Sequence, residues 1–543
     1  MRLGKLIAVA TLLWACALVW VWRTHGLPAA SSVVYAAGDH DGDLDRHLAN
    51  VLSTAGFTGE IQQTFPNRIK RNLGRPINPK LVELGRDLWF DKIHSLGQDN
   101  TCGGCHSPTN GFGDSQTMAI GVENNNVVGP GRTGPRNQRR SPLVVNTALY
   151  PAMMWNGRFV SLSGDPFNNH EGFSFPFPED SSPFALVPDR FSHKEDRKHG
   201  ITHLLQAQAH MPPTEMIEVA GFKGTCDANG NPLDPAAGMD PRLCVFSAFD
   251  AHGPGLQVPN SDPATGSRNE PIRQAALNIL NANSAYRHLF AGAFPRQVSI
   301  EPGHGKDIDF YMFGKAIAEF EFTLVFADAP VDQFARGDRD AMTKAEKRGA
   351  LLFFGKANCV QCHKVDGQSN EMFSDFEERV IGVPQIAPGF GVGKGNVIFA
   401  GPGEDQDFGR EERTGDRGDR YRFRTAPLRN LAVSPGFFHN GAFRKLEDAV
   451  RFHLNVAEAA RDYDPIKAGV PEDLTHRLGP PVPKKLLDPL IRHEVKLSDR
   501  EFKDLVTFVR DGLLDRRVTN LCHLIPSSPL PSGLPAMVFQ GCP

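Results

Sequence analysis

Two motifs of the form Cys-x-x-Cys-His stand in this chain, at Cys102–His106 and at Cys359–His363. In each motif both thiols fall on one side of a single turn, so both can add to the two vinyl groups of one porphyrin. The adjacent histidine then presents a nitrogen to the iron. This pattern is typical of c-type haem attachment. The alternative is a pair of zinc or redox motifs, but zinc needs four ligands grouped together and these motifs lie far apart.

The sequence therefore predicts two covalently bound c-type haems. The residues that would bind them are Cys102, Cys105 and His106 for the first haem, and Cys359, Cys362 and His363 for the second.

The length of 543 residues exceeds what one hydrophobic core usually supports, which favours two domains. A hydrophobic content of 40% with 22% charged residues is that of an ordinary globular protein. The net charge of -3 gives no reason to expect a nucleic-acid partner. The 53 glycines and 42 prolines indicate long irregular connections between the elements.

The cysteines outside the two motifs indicate an oxidising compartment. Cys226 and Cys244 flank a polar loop, and Cys522 and Cys542 bracket a proline-rich tail, so we expect two disulfides. The alternative is four free buried thiols, which the hydrophilic character of both segments disfavours. The ninth cysteine, Cys16, lies in an apolar run near the N-terminus.

That apolar run, Leu6–Trp22, follows Arg2 and Lys5 and predicts either a signal peptide or an N-terminal anchor within residues 1–36. Val34–Ala36 would serve as a cleavage site. Both alternatives predict an exported, periplasmic protein whose only contact with a membrane would be that anchor.

Helical patterns dominate the rest of the chain. After a linker or N-terminal extension over residues 37–78, which includes the acidic stretch Asp39–Asp45, we expect helices separated by long loops. Two surface excursions are expected, near residues 163–198 and 221–266, and the tail from Asn520 is expected to be a loop. The predicted helices are Lys80–Phe90, Asp307–Phe326, one opened by the capping box at Thr343, Leu446–His453, and one opened by the capping box at Ser498. The fold class predicted is mainly α.

Several further motifs surround the two Cys-x-x-Cys-His sites in order along the chain. With them the chain resembles the bacterial di-haem cytochrome c peroxidases and the related methylamine-dehydrogenase-maturing enzymes, which oxidise a protein substrate. The resemblance covers roughly residues 79–513. The motifs are Leu84–Asp91, Met154–Arg158, Met211–Met216, Arg424–Asn430 and Phe438–Gly441.

The resemblance implies two mostly helical cytochrome c-like domains. The N-terminal domain (residues 79–335) would carry the haem that reacts with peroxide, and the C-terminal domain (residues 336–516) the haem that accepts electrons. A tail would follow over residues 517–543. His106 and His363 become the proximal ligands of the two irons.

Two catalytic residues follow from the same resemblance. Glu215 matches the distal acid of the family, and a carboxylate above an open iron position can move the proton that O–O cleavage requires. The alternative is an exposed surface glutamate. Trp155 matches the tryptophan between the two haems, and core packing is its alternative or its second role.

Two departures from the family pattern concern the haem ligands. The segment Ala119–Glu123 lacks the distal histidine of many members, so we expect an open first haem, with His94 and His210 as alternative ligands. For the second haem, His453 occupies the place of the usual methionine and predicts bis-histidine ligation. Its alternative is a solvent-facing His453, with Met372 or another group as the ligand.

The family also holds a calcium ion between its domains. Arg140 stands at the asparagine that ligates this ion, whereas Ser434 and Gly436 match positions that contribute backbone carbonyls. We therefore expect weaker calcium binding than in the family, but a calcium ion stays among the predicted cofactors.

The favoured function is reduction of hydrogen peroxide to water with electrons from a small cytochrome c or cupredoxin. The alternatives are a maturation-type oxidase acting on a protein side chain and a non-enzymatic electron carrier. A related oxygenase that acts on polyisoprene ranks lower, because its distal pocket lacks the acid. Homodimers are common in the family.

Overall fold

The computed structural model describes residues 41–174, 199–234, 244, 255–264, 268–300, 306–387, 405–527 and 529–543. The predicted signal or anchor and its cleavage site lie outside the described residues, as does most of the first excursion. Among the helices described, none has the length and apolar character needed to cross a membrane.

The fold is mainly α, as predicted. Its helices are α1 (Asp41–Thr54), α2 (Ile61–Leu73), α3 (Pro79–Phe90), α4 (Cys102–Cys105), α5 (Leu204–Gln208), α6 (Asn269–Ala282), α7 (Ser284–Ala293), α8 (Phe310–Glu321), α9 (Pro330–Ala335), α10 (Lys344–Phe354), α11 (Glu411–Thr414), α12 (Leu446–Leu454), α13 (Val456–Arg461) and α14 (Asp499–Thr507). Two π-helical turns, Met216–Ala220 and Phe508–Gly512, add to them.

Short strands form three small sheets within the described part of the chain. One antiparallel sheet has the order β2-β3-β4, β5 pairs with β6 antiparallel, and β1 pairs with β7 in parallel. The strands are β1 (Val127–Val128), β2 (Ala152–Met153), β3 (Phe159–Ser161), β4 (Phe173–Ser174), β5 (Glu378–Arg379), β6 (Phe423–Arg424) and β7 (Val538–Phe539).

Local capping chemistry sets the helix starts that the sequence predicts. The Asn78 side chain accepts a hydrogen bond from the Lys80 backbone N–H at the start of α3, with Pro79 in the first helical position. Thr343 opens α10 and Ser498 opens α14, and each forms a complete capping box. These predictions are confirmed, as is the short helix that begins at Leu446.

Two expectations are wrong in extent or kind. The helix predicted over Asp307–Phe326 is shorter, because the Asp309 side chain caps the Met312 N–H and starts α8 only at Phe310. The acidic stretch predicted to be part of a linker instead begins α1, since Leu44, Leu48 and Leu52 lie on one helix face and are buried.

Each Cys-x-x-Cys-His motif adjoins a hydrophobic cluster. The first cluster is built around α3 and α8, which approach so closely that a Cβ added at Gly85 would lie 1.8 Å from the Ala316 carbonyl oxygen. The second cluster is built around α10 and α14. Both halves of the chain contribute to both clusters, since Val518 belongs to the first and Leu48 to the second.

The C-terminal tail is not only the loop that the sequence predicts. Its strand β7 pairs with β1, and the Phe539 ring lies 5.4 Å from the Phe90 ring. A Cβ added at Gly104 of the first motif would lie 3.1 Å from the Met537 sulfur. The tail therefore packs directly against the first motif.

Both predicted disulfides, Cys226–Cys244 and Cys522–Cys542, are present. The second one closes the tail that packs on the first motif, across a sequence separation of 20.

Replacing both Cys522 and Cys542 with alanine is expected to lower the free energy of unfolding by about 3 kcal/mol, because the unfolded chain regains the entropy of an open loop. Urea unfolding followed by circular dichroism measures this loss. The pair Cys226→Ala and Cys244→Ala is the matched control for proteolysis, since only loss of the tail disulfide should expose the tail to cleavage. Unchanged stability and unchanged cleavage would contradict this role of the tail.

Candidate haem sites

A cavity of about 460 Å³ lies beside the second motif. Cys359, Cys362 and His363 line one part of it and His453 another, and most of the remaining lining is apolar. A large apolar cavity that ends on two thiols and two imidazoles is the environment that a covalently attached haem requires.

The ring centroids of His363 and His453 lie 6.4 Å apart across this space, and their planes are inclined at 67°. A metal bound between two imidazoles needs about 2 Å to each nitrogen plus about 1 Å to each ring centre, a total of about 6 Å. The observed spacing therefore fits one iron between the two rings.

Hydrogen bonds orient both rings for this purpose. The Nδ1 atom of His363 lies 2.9 Å from the Phe373 carbonyl oxygen, and Nδ1 of His453 lies 2.8 Å from that of Ala449. With Nδ1 as the donor, Nε2 keeps its lone pair for a metal. Burial lowers the pKa of His363 to about 4, so its imidazole is neutral at pH 7.

The alternative ligand Met372 is placed elsewhere. Its side chain is fully buried in a third hydrophobic cluster, packed with residues such as Phe376 and Met211, and it is not among the residues that line the cavity. Of the two alternatives weighed from the sequence, the geometry favours His453.

The first motif repeats the orienting hydrogen bond. His106 Nδ1 lies 2.9 Å from the Phe112 carbonyl oxygen, and the indole of Trp89 packs 5.9 Å from the His106 ring. Burial raises the pKa of the Cys105 thiol to about 11 and raises that of Cys102 further. Both thiols are therefore protonated and sheltered at neutral pH.

Glu215 is buried and forms an ion pair with Arg158, so the alternative of an exposed surface glutamate is wrong. It stands immediately before the π-helical turn that carries Glu218. Burial, reinforced by the charge of Glu215 and opposed by Arg158, raises the pKa of Glu218 to about 7. Glu215 and Glu218 therefore lie three residues apart at this turn.

Asn100 links this acidic turn to the first motif. Its side-chain Nδ2 donates to the Glu218 carbonyl oxygen at 2.6 Å and lies 3.6 Å from the Cys105 sulfur. The histidine-free segment Ala119–Glu123 closes the same region, since Val122 N–H donates to the Ile217 carbonyl oxygen at 3.2 Å. The backbone carbonyl of Ile120 lies 3.4 Å from the Cys105 sulfur.

The two alternative histidines also lie in this half of the structure. His94 is fully buried, with its Nε2 atom 4.0 Å from the Cys102 sulfur, and burial lowers its pKa to about 4. His210 Nδ1 lies 2.9 Å from the Gln206 carbonyl oxygen, and its ring packs against Phe310 and Tyr311.

Trp155 lines the cavity beside the second motif, and a short segment connects this cavity to the first site. Its indole N–H donates to the Arg140 carbonyl oxygen at 2.7 Å. Two residues further on, Pro142 lines the same cavity and offers its backbone carbonyl to His106. The segment from Arg140 to Pro142 therefore touches both histidine sites.

Sequence reasoning missed three contributors to these sites. The first is Arg158, the last residue of the motif that begins at Met154. The second is Glu218, whose spacing of three residues from Glu215 could have indicated a shared turn. Arg424, in the Arg424–Asn430 motif, also lines the cavity. Its proximity to Trp155 depends on contacts distant in sequence, which no local pattern reveals.

Fold and sites together define a helix-rich protein with two Cys-x-x-Cys-His centres, one facing a second histidine and one beside a buried acid. A family profile described as di-haem cytochrome c peroxidase matches residues 79–340. A cytochrome-c peroxidase of Denitromonas iodatirespirans is 30% identical over 386 residues, covering 69% of this chain and 74% of that relative. The chain belongs to the di-haem cytochrome c peroxidase family.

Other relatives bear two functional names. The methylamine utilization protein MauG of Methylophilus methylotrophus is 23% identical over 428 residues, covering 76% of this chain and 87% of its own. The cytochrome c551 peroxidase of Pseudomonas aeruginosa is 23% identical over 386 residues, covering 71% and 75%.

Among solved structures, a MauG-like protein associated with microbial copper homeostasis aligns over 84% of this chain and 93% of its own, with 20% identity and a TM-score of 0.48. At that score the backbones superimpose too loosely for its residues to be matched with residues of this chain.

Replacing His453 with methionine tests the second ligand. If His453 binds the C-terminal iron, the change to methionine should raise the midpoint potential of that haem by on the order of 0.1 V, within the range of about 0.8 V that axial ligands cover. A spectroelectrochemical titration measures it. Met372→Leu is the control and should leave the potential unchanged; a shift in the control alone would assign the ligand to Met372.

Proposed function

We propose that this protein is an exported di-haem peroxidase that reduces hydrogen peroxide to water with electrons from a small cytochrome c or cupredoxin. The observation that carries the proposal is the placement of Glu215, a buried carboxylate ion-paired with Arg158, on the turn that Asn100 connects to the first motif. A pure electron carrier has no use for a buried acid pair at one of its two sites.

The residues present fit two haems. Both motifs offer protonated, sheltered thiols, each proximal histidine has Nδ1 hydrogen-bonded to a carbonyl, and the second site has a cavity that accommodates a large apolar group. A haem bound at the first site would supply the iron that takes up peroxide, and both haems would supply electrons.

Glu215 then performs the proton chemistry. As a carboxylate it accepts a proton from the oxygen of peroxide that lies nearer the iron, and it returns that proton to the departing oxygen, which leaves as water. The guanidinium of Arg158 fixes the Glu215 carboxylate in position. The pKa of Glu218 is raised to about 7, so Glu218 holds a proton for a large share of the time at neutral pH. It can therefore supply a proton to Glu215.

Electrons enter at the C-terminal site and reach the N-terminal site through Trp155. The supporting observations are the cavity lining, which includes both Trp155 and His363, and the Arg140–Pro142 segment that reaches His106. His363 and His453 would hold the second iron between them, and a haem held in this way would supply electron transfer.

The family and the two separate hydrophobic clusters support an arrangement of two cytochrome c-like domains, with limits near residues 79–335 and 336–516. The two disulfides support a periplasmic location. The same proposal includes an N-terminal signal peptide or anchor and no nucleic-acid partner.

Glu215→Gln is expected to slow the reaction with hydrogen peroxide by about 10²–10⁴-fold, since the amide cannot accept the proton. Stopped-flow absorbance of the oxidised protein mixed with peroxide measures the rate. Glu83→Gln is the control, because Glu83 is exposed on α3 and should leave the rate unchanged. Equal rates for the wild type and for both variants would contradict the role of Glu215.

The same protein distinguishes the competing activities. Steady oxidation of a reduced small cytochrome with peroxide supports the peroxidase. A protein that reacts with peroxide, retains the two oxidising equivalents and passes them only to a protein side chain would instead be the maturation-type oxidase.

We also propose that the function needs no calcium ion. Arg140 stands in the sequence at the asparagine that ligates calcium in the family, and its Nη1 atom would lie 2.4 Å from a Cβ added at Gly436. A buried cation at this point repels a second one.

Prolonged dialysis against a calcium chelator is therefore expected to leave the peroxide rate within the error of the untreated protein, with added calcium as the control. A large loss of rate that calcium restores would contradict the proposal.

A further inference from the structure

We propose that Arg140 and Arg424 bind the two propionate groups of the C-terminal haem, one guanidinium to each side of Trp155. The proposal rests on haem binding at the second motif and adds two cofactor-binding residues to that site. It follows from two buried positive charges that line the cavity and donate to no carboxylate of the described residues.

Arg140 is almost fully buried, with 4% of its surface exposed. Its Nη2 donates only to a neutral acceptor, the Asp114 carbonyl oxygen at 3.3 Å, and its Nη1 has no hydrogen-bond partner among the described residues. Burial lowers its pKa to about 10; the charge of Asp114 opposes this shift and the charge of Arg444 adds to it. The guanidinium therefore donates to no carboxylate among the described residues.

Arg424, on strand β6, also donates to no carboxylate of the described residues. Its Nε donates to the Met154 carbonyl oxygen at 2.9 Å and its Nη1 to the Thr425 carbonyl oxygen at 3.2 Å, both neutral acceptors. Its guanidinium faces the rings of Tyr150 and Phe376 at 5.9 and 5.5 Å. Burial lowers its pKa to about 10.

Most other buried arginines among the described residues are paired with acids, whereas Arg132, near the first motif, donates to four neutral acceptors. Arg429 donates to both carboxylate oxygens of Asp332, each at 2.7 Å, and Arg139 does the same with Asp407. Arg379 lines the same cavity as Arg140 and Arg424, yet it contacts Asp375 and Asp488. Arg140 and Arg424 are the two arginines lining this cavity that donate to no carboxylate of the described residues. Because an unpaired buried charge is strongly destabilising, they indicate an anion that the described residues do not provide.

A haem would supply the missing anions, because it carries two negatively charged groups, one for each of the two arginines. Its two propionates are carboxylates, which guanidinium groups bind through charge-assisted hydrogen bonds. Both arginines line the cavity that holds Cys359, Cys362 and His363, so a haem attached there brings its carboxylates into the same space.

The backbones of both arginines also form hydrogen bonds with Trp155. The indole N–H of Trp155 donates to the Arg140 carbonyl oxygen, and the Arg424 N–H donates to the Trp155 carbonyl oxygen, each at 2.7 Å. Binding of the propionates would therefore fix the haem edge beside the tryptophan proposed to carry electrons.

Arg140→Gln and Arg424→Gln test the proposal, since glutamine keeps hydrogen-bonding capacity and removes the charge. Arg140→Lys and Arg424→Lys restore the charge. Arg422→Gln is the matched control, two residues from Arg424 but 41% exposed in its side chain and outside the cavity lining. The measurements are the midpoint potential of the C-terminal haem and the propionate bending bands in its resonance Raman spectrum.

Each glutamine variant should lower the midpoint potential and shift one propionate band, because a positive charge beside the iron favours the reduced state. The lysine variants should recover most of the potential, and Arg422→Gln should match the wild type. Unchanged propionate bands in both glutamine variants would overturn the proposal, whatever happens to the potential. Since neither measurement involves peroxide, failure here leaves the peroxidase test unaffected.

If a glutamine variant does not accumulate as folded protein, the corresponding lysine variant tests the proposal for that arginine. A lysine variant with the propionate bands of the wild type would overturn the proposal for that arginine, because an ammonium group cannot reproduce the planar contact of guanidinium.

Discussion

Three hydrogen bonds from histidine Nδ1 to a backbone carbonyl underlie this structure's chemistry. His106, His363 and His453 each have one, with Phe112, Phe373 and Ala449 respectively. Such a bond fixes the ring plane and leaves Nε2 available to a metal. Because the acceptors are backbone atoms, the surrounding fold, and not a mobile side chain, sets the direction in which each nitrogen points.

Burial is the second constraint, and it acts with opposite results at the two sites. At the first site Glu215 and Glu218 lie three residues apart at one turn, and burial raises the pKa of Glu218. At the second site it surrounds His363 and His453 with apolar groups and two arginines. One environment suits proton transfer and the other suits electron transfer, which is the division of labour that a di-haem peroxidase needs.

The haem motifs, the helix caps and both disulfides could be predicted from the sequence because each depends on residues close in the chain or on cysteine chemistry. The helix over Asp41–Thr54 was missed because its acidic start masks the buried face of Leu44, Leu48 and Leu52. The packing of the tail on Gly104, the ion pair of Arg158 with Glu215 and the position of Arg424 beside Trp155 could not be predicted. Each joins residues far apart in sequence, and a side chain's partner at that distance depends on the whole fold.

Electron paramagnetic resonance of the resting, fully oxidised protein reports the ligands of both irons at once and so tests whether the first iron has a free coordination position. We expect one high-spin haem at the N-terminal site, beside Glu215, and one low-spin haem with two imidazole ligands at the C-terminal site. Two low-spin signals of equal intensity, unchanged by peroxide, would contradict it, since neither iron could then accept the substrate.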